Sequence, residues 1–276
     1  MIRLLHLSDP HFGAADPVVA ETFLQRAREL APDLTLLSGD LTMRARRSEL
    51  AAARLFVDAL PEPRLVIPGN HDIPGLNHPY DRFVRPFRRY RNFLGGPLEP
   101  DYRIPGLHVV GLNSTRAFGF HADWSEGRLH AGQLQLAELR FQNGPPAFRV
   151  LMLHHPLLAP EGHGRAVVDP LPELLAVIGR QRVDLVLCGH FHRSHVATLG
   201  PDDSWHTVVS QAATVCSTRL QGEPQGFHEI RVSDASIEIF RHRLLAGRFV
   251  EESVHSFSRG NSGWRAAVET SNSRPL

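Results

Sequence analysis

Residues 65–75 read LVIPGNHDIPG. The apolar run Leu65-Val66-Ile67 has the composition of a buried strand and stops at Pro68-Gly69. Asn70, His71 and Asp72 follow at once. Each of these side chains can bind a metal, move a proton or shape a turn, and the tripeptide alone does not choose. The same construction recurs along the chain. A strand read over 2–8 ends in Asp9-Pro10-His11, and one over 33–40 ends in Gly39-Asp40. Strands over 148–156 and 183–192 end in His154-His155-Pro156 and in Gly189-His190-Phe191-His192. In open α/β sheets ligands gather beyond the carboxyl ends of strands, so five such clusters are expected to converge. Glycines just before Asp40, Asn70 and His190 fit backbone turning sharply under a crowded site.

Between these strands lie helix-like stretches. Asp16-Pro17 reads as an N-cap and first helical residue for a helix over 17–31. Further helices are expected over 46–60, 130–142 and 170–181, and a strand over 106–114. Residues 74–100 read as an insertion with one helix near 80–94. After residue 194 the pattern changes to β-type runs at 194–199, 205–210, 227–232, 236–242 and 247–254. Strand–helix alternation followed by strands predicts an α/β fold completed by C-terminal β-hairpins. One domain is expected over 1–255, with 256–276 as a polar tail, an arm or a disordered segment.

The bulk numbers bound the function. A 276-residue chain with 42% hydrophobic and 21% charged residues is of the globular class. A net charge of +1 argues against general polyanion binding, and nucleic acid is not an expected partner. Two cysteines, Cys188 and Cys216, are too few for a disulfide framework. No signal peptide or membrane-length apolar run is evident, and a cytoplasmic location is expected. The 17 histidines stand out, since histidine is the commonest metal ligand, but position has to decide which of them matter.

The string Asp-x-His, Gly-Asp, Gly-Asn-His-Asp, His and Gly-His-x-His spans residues 4–192. It resembles the motif set of the calcineurin-like metallophosphoesterase superfamily and leaves no motif unfilled. Within that superfamily the chain is most similar to bacterial class III cyclic-nucleotide phosphodiesterases and related glycerophosphodiesterases. The segments GLNSTR and GRLHAGQLQLAEL carry a weaker likeness to the linking region of that group. The resemblance implies a four-layer α-β-β-α sandwich, two β-sheets flanked by helices. It also implies two divalent or trivalent metal ions (Mn, Fe, Zn or Co) as cofactors, with Asp9, His11 and His192 on one metal. Asn70, His154 and His190 would hold the other, and Asp40 would bridge them. The implied reaction is hydrolysis of a small phosphodiester, a 3′,5′-cyclic nucleotide first among the candidates, by hydroxide shared between metals about 3.5–4 Å apart. Two divalent ions, two aspartates and one hydroxide leave a centre that is still positive. A neutral Asn70 preserves that charge for an anionic phosphate, where a carboxylate would cancel it.

His71, one residue past a ligand, is the expected catalytic imidazole, with a ligand-supporting histidine as the alternative. Asp72 is expected to form the turn or to orient His71, and His155 to support His154 or face substrate. Arg82, Arg85, Arg88, Arg89 and Arg91 read either as a basic wall for a nucleotide-like phosphate or as a solvated helix face. Phe118, Phe120, His121 and Trp124 are candidate stacking surfaces for a base, and His163 and Arg165 candidate substrate readers. The C-terminal strands are a candidate homodimer surface. Competing functions are a phosphomonoesterase or nucleotide-sugar-lipid pyrophosphatase, a nuclease, for which the chain lacks room for the usual capping domain, and a non-catalytic scaffold.

Overall fold

In the computed structural model the described residues are 1–117, 126–143, 147–159, 167–200 and 205–267. Numbered in chain order, the first sheet holds β1 (Ile2–Leu7), β2 (Leu34–Ser38), β3 (Arg64–Ile67), β10 (Gly226–Val232), β11 (Ser236–Leu245), β12 (Arg248–Gly260) and β13 (Gly263–Ala266). Its order is β13-β12-β11-β10-β1-β2-β3, with β1, β2 and β3 parallel. The second sheet holds β4 (Asp101–Ile104), β5 (Leu107–Gly111), β6 (Phe148–Met152), β7 (Leu185–Cys188), β8 (His195–Leu199) and β9 (Thr207–Gln211), in the order β4-β5-β6-β7-β9-β8. The helices are α1 (Pro17–Leu30), α2 (Arg47–Ala59), α3 (Pro79–Phe83), α4 (Arg88–Leu94), α5 (Ala131–Gln142) and α6 (Leu171–Arg180).

Period-two alternation along the strands sorts the core into three slabs. Leu4, Leu34 and Leu36 of the first sheet pack with Val150, Met152 and Leu187 of the second. Their neighbours Leu5, Leu7 and Leu37 face the other way, onto Phe23 of α1 and Phe56 of α2. Val110, Leu151 and Val186 of the second sheet pack outward with Leu134 of α5 and Leu174 of α6. Helices, sheet, sheet and helices therefore stack in four layers, as expected. Truncating an inter-sheet leucine such as Leu36 to alanine costs about 2–5 kcal/mol. Local chemistry fixes the helix starts: the Asp16 carboxylate caps α1 by accepting from the Val18 and Val19 amides.

Three expectations need correction. The helix read over 80–94 is two short helices, because Pro86 lacks an amide proton and keeps Arg85 from continuing the first. The tail placed at 256–276 begins too early: β12 runs to Gly260, and β13 pairs back on it with Trp264 buried. The motif strands are shorter than read, since β1, β2, β6 and β7 each stop before the first candidate ligand that follows. The candidate ligands sit in the turns that end the strands.

Candidate metal centre

Those turns are unusual backbone. Nine described non-glycine residues have positive φ, and five of them are Asp9, His11, Asp40, His190 and His192. Left-handed backbone is costly for residues with a Cβ and persists where the surroundings over-determine it. Here cross-links do so. Asp9 N–H donates to Gly39 O at 3.1 Å and His11 N–H to Asp40 O at 3.0 Å. His190 N–H reaches across the sheets to Asp9 Oδ2 at 2.9 Å. Two glycines permit this crowding. A Cβ on Gly69 would lie 2.2 Å from Asp40 Oδ1, and one on Gly189 would lie 1.8 Å from Ser8 Oγ.

The structure brings all seven predicted ligands together, each buried. Asp9, His11 and His192 form one group. His11 Nε2 lies 2.8 Å from His192 Nε2, and Asp9 Oδ1 is 3.6 and 3.3 Å from those two nitrogens. Asn70, His154 and His190 form the other, with Asn70 Oδ1 3.1 Å from both His154 Nε2 and His190 Nδ1. Asp40 Oδ2 sits between the groups, 3.6 Å from His11 Nε2 and 3.3 Å from His154 Nε2. Its other oxygen accepts the His71 amide at 2.8 Å, which aims the carboxylate.

Ring orientation tests whether these residues fit a metal. His11, His154 and His192 each turn Nδ1 to a backbone carbonyl, of Thr42, Ser38 and Arg219, at 3.2, 2.8 and 2.7 Å. Nδ1 therefore carries the proton, and Nε2 presents its lone pair to the centre. Two lone pairs facing each other at 2.8 Å need a shared proton or a cation between them. Asp9 Oδ1, buried and without a hydrogen-bond partner, makes the same demand. Asp9, His11 and His192 can share an ion, as can Asp9, Asp40 and His154. His155 also comes within ligating range of His154 and His190, while its Nδ1 meets Ser114 Oγ at 2.8 Å.

Electrostatics agree. Among the described residues no arginine pairs with Asp9 or Asp40. Burial pushes the Asp9 carboxyl up, but His192 and His11 together pull it well below the carboxylate range. Burial alone would lower His154, yet Asp40 and then Asp9 outweigh it and raise His154 to about 9. Burial, reinforced by His154, drives His190 down to about 3. A buried pair of carboxylates is drawing positive charge into a place where only imidazoles and an amide surround it.

Residues 2–194 match the calcineurin-like phosphoesterase family. The chain belongs to that family. Its members are phosphoric ester hydrolases with a dinuclear metal centre, and here Asp9 with His11 and His192, and His154 with His155 and His190, are groups that could hold metal. A probable cyclic nucleotide phosphodiesterase of Synechococcus sp. is 33% identical over 180 residues, 63% of this chain and 63% of that protein. The glycerophosphodiester phosphodiesterase GpdQ of Enterobacter lignolyticus is 29% identical over 210 residues, 68% of this chain and 70% of that protein. The match to the first relative thus spans less than two thirds of its length. Among solved structures, a purple acid phosphatase from yellow lupin (Lupinus luteus) seeds superposes with a TM-score of 0.64 at 12% identity, over 93% of this chain and 53% of that one. GAP50, the anchor in the inner membrane complex of Plasmodium, gives 0.61 at 11% identity, over 92% and 87%. These two likenesses speak to the fold.

Around the candidate centre the expectations divide. His71 is half-buried where the seven are buried, and its ring lies 4.8 Å from that of His11, at 90°. Its Nδ1 meets Met43 O at 2.8 Å, which leaves Nε2 free of the backbone. Asp72 forms the turn and does not touch the His71 ring: its carboxylate accepts from the Leu41, Thr42 and Gly69 amides and the Thr42 hydroxyl. Two of the five arginines are engaged together, Arg88 and Arg89 pairing with Asp81 at 2.5 and 2.9 Å. Arg82 reaches Pro74 O at 2.9 Å, and Arg85 lies over the Tyr80 ring. Arg82 and Arg89 thus brace the segment from within, while Arg85, Arg88 and Arg91 lie on its exposed face. Phe118, Phe120, His121, Trp124, His163 and Arg165 lie outside the described residues. Sequence reasoning missed Arg219, whose Nη1 lies 3.4 Å from His71 Nε2. Its only signal was a cation in the polar turn after β9.

Proposed function

We propose that this chain is a dinuclear-metal phosphodiesterase acting on a small phosphodiester, with a 3′,5′-cyclic nucleotide as the leading substrate. One observation carries the reading: the Nε2 lone pairs of His11 and His192 converge beside the orphaned Asp9 Oδ1, with Asp40 Oδ2 aimed between that group and the second. Asp9, His11 and His192 would hold one ion, Asn70, His154 and His190 the other, and Asp40 both. The mixed imidazole, carboxylate and amide donors suit Mn, Fe, Zn or Co. Ions held there would supply Lewis acidity toward phosphoryl oxygens and would lower the pKa of a water molecule. The chain's own part is electrostatic and positional. Asn70 is a neutral oxygen donor that keeps the centre cationic toward an anionic diester. His71 stands over the Asp9 group with Nε2 free of the backbone, placed to stabilise charge on phosphate or to exchange a proton with the leaving oxygen. Backbone carbonyls hold three ligand rings so that they do not reorganise during reaction.

The named relatives act on diesters by their names, and that supports a diester here. The two cysteines are free and buried, which suits a reducing, cytoplasmic setting. No helix among the described residues is long and apolar enough to cross a membrane. The test is a substrate panel of bis-p-nitrophenyl phosphate, p-nitrophenyl phosphate, cyclic AMP and single-stranded DNA, run with Mn²⁺. Diester turnover, with cyclic AMP cleaved, is expected. Faster turnover of the monoester than of any diester sinks the reading.

A further inference from the structure

We infer that Arg219 is a substrate-positioning residue, a fixed guanidinium that holds a non-bridging phosphate oxygen opposite His71. This rests on the phosphoesterase reading above and adds a residue from outside the matched segment 2–194.

The observations begin with its backbone. The Arg219 carbonyl accepts the Nδ1 proton of His192 at 2.7 Å, which places residue 219 against the Asp9–His11–His192 group. The turn leading to it is tied down over several residues. Thr218 N–H donates to Ala14 O at 2.8 Å, its hydroxyl donates to the same oxygen, and Arg219 N–H donates to Ser217 Oγ at 3.1 Å. Gln225 Nε2 donates to Ser217 O at 3.0 Å. A side chain issuing from this turn has a defined origin.

The guanidinium then has little to hold. Nη1 is 3.4 Å from His71 Nε2 and 3.7 Å from Met43 Sδ, a weak acceptor. No carboxylate among the described residues pairs with it. The nearest acid in sequence, Glu223, pairs with Arg241 at 2.7 Å and accepts the Ser194 amide, and Asp16, tied to the same turn by its amide's bond to Cys216 O, caps α1. The chain contains no lysine, so guanidinium groups are its only fixed cations besides the amino terminus. Most arginines noted above are spent on carboxylates or carbonyls. Arg219 is half-buried, uncompensated and aimed at Nε2 of the imidazole expected to act on phosphate. A planar fork of N–H donors matches a pair of phosphate oxygens, and a charge-assisted bond of this kind changes binding roughly ten- to a hundredfold.

The test uses the 276-residue chain loaded with Mn²⁺, as wild type, R219A and R219K. Metal content, binding of inorganic phosphate by calorimetry and turnover of bis-p-nitrophenyl phosphate are measured on each. R219A should keep its metal, bind phosphate roughly ten- to a hundredfold more weakly and lose a comparable factor in kcat/KM. R219K should fall between, keeping the charge but losing the fork, and free guanidinium should restore part of the R219A activity. A merely structural role for the side chain would not give that rescue. If R219A is poorly folded, R219K carries the comparison alone. Phosphate binding and kcat/KM within twofold of wild type in both variants would overturn the inference, as would metal loss in R219K. A wild type that turns over no phosphoester, yet loses phosphate binding with R219A, defeats the functional reading and leaves this inference standing.

Discussion

Two regions bury histidines, and they differ in what surrounds the rings. At the strand ends His11, His154, His190 and His192 face two carboxylates and one another, with lone pairs converging. Between the sheets and along β10 and β11 lie His6, His228 and His242, all fully buried. There serines satisfy the rings of His6 and His228, while His242 lies 3.4 Å from a Glu229 carboxylate oxygen. His6 lies 3.0 Å from Ser38 Oγ and 3.4 Å from Ser210 Oγ, and His228 sits between Ser210 Oγ and Ser194 Oγ at 2.7 Å each. Burial lowers His6 to about 3, as it does His190 at the strand ends, but there Asp40 and Asp9 raise His154 to about 9. A buried imidazole is therefore not a metal ligand by virtue of burial. It becomes a candidate when neighbouring acceptors leave charge and lone pairs unsatisfied.

The contrast can be broken most directly at Asp40. Asp40→Asn keeps the shape and removes the charge aimed between the two groups. It should lower the affinity of both metals more than about a hundredfold, beyond what loss of a ligand-orienting partner costs, and abolish metal-dependent turnover. Metal content near wild type by elemental analysis would refute the bridging role. His71→Ala should instead leave the metals in place while turnover drops roughly 10²–10⁴-fold. Loss of metal in that variant would make His71 a ligand. Asn70→Ala should weaken one metal selectively, by roughly 10–100-fold, with the second retained. Equal loss of both ions on titration would merge the two groups into one.

How far the sequence carried this site depends on residue type and on distance along the chain. The convergence of the seven candidate ligands was legible because each follows a short apolar strand, and parallel strands end at one edge of their sheet. The four-layer order was legible by resemblance, and the alternation in β1 and β2 gives its physical reason. Arg219 was not legible, because its position follows from a turn bonded to residue 14, some two hundred residues away. Residues 256–266 were misread because serine, arginine and asparagine suggest a tail. The Gly260–Gly263 turn and the burial of Trp264 make a hairpin of them instead. The five clustered arginines could not be assigned from sequence, since the pairing of Arg88 and Arg89 with Asp81 arises from the helix break at Pro86.

The inter-sheet histidines supply the converse experiment. His228→Ala leaves a cavity and strips the Ser194 and Ser210 hydroxyls of their partner. It should cost about 3 kcal/mol of stability with metal stoichiometry unchanged. Denaturant unfolding and elemental analysis on the same preparation separate the two readouts. A stable variant depleted of metal would show that the seam belongs to the site after all.

The finest distinction is at Glu229 and His242, a carboxylate and an imidazole 3.4 Å apart and buried, which on pairing alone resemble the strand-end groups. The difference is that Arg3 and Arg231 also reach the carboxylate, at 3.2 and 2.8 Å, so its charge is already met and no cation is called for. Burial raises the Glu229 carboxyl, but His242, Arg231 and Arg3 together bring it from 4.5 to about 2. A folded value below the unfolded one means that the stabilisation is whole above about pH 4.5 and is lost as pH falls through about 2. Both arginine side chains are more than 30% exposed, at 39% and 33%, so solvent screening discounts the effect to about 1–2 kcal/mol. Glu229→Gln should therefore be less stable than wild type at neutral pH by that amount, and the two should converge in acid. A gap that persists unchanged down to about pH 2 would assign the loss to packing around Phe227, whose ring stacks on His242 at 4.6 Å, and not to charge.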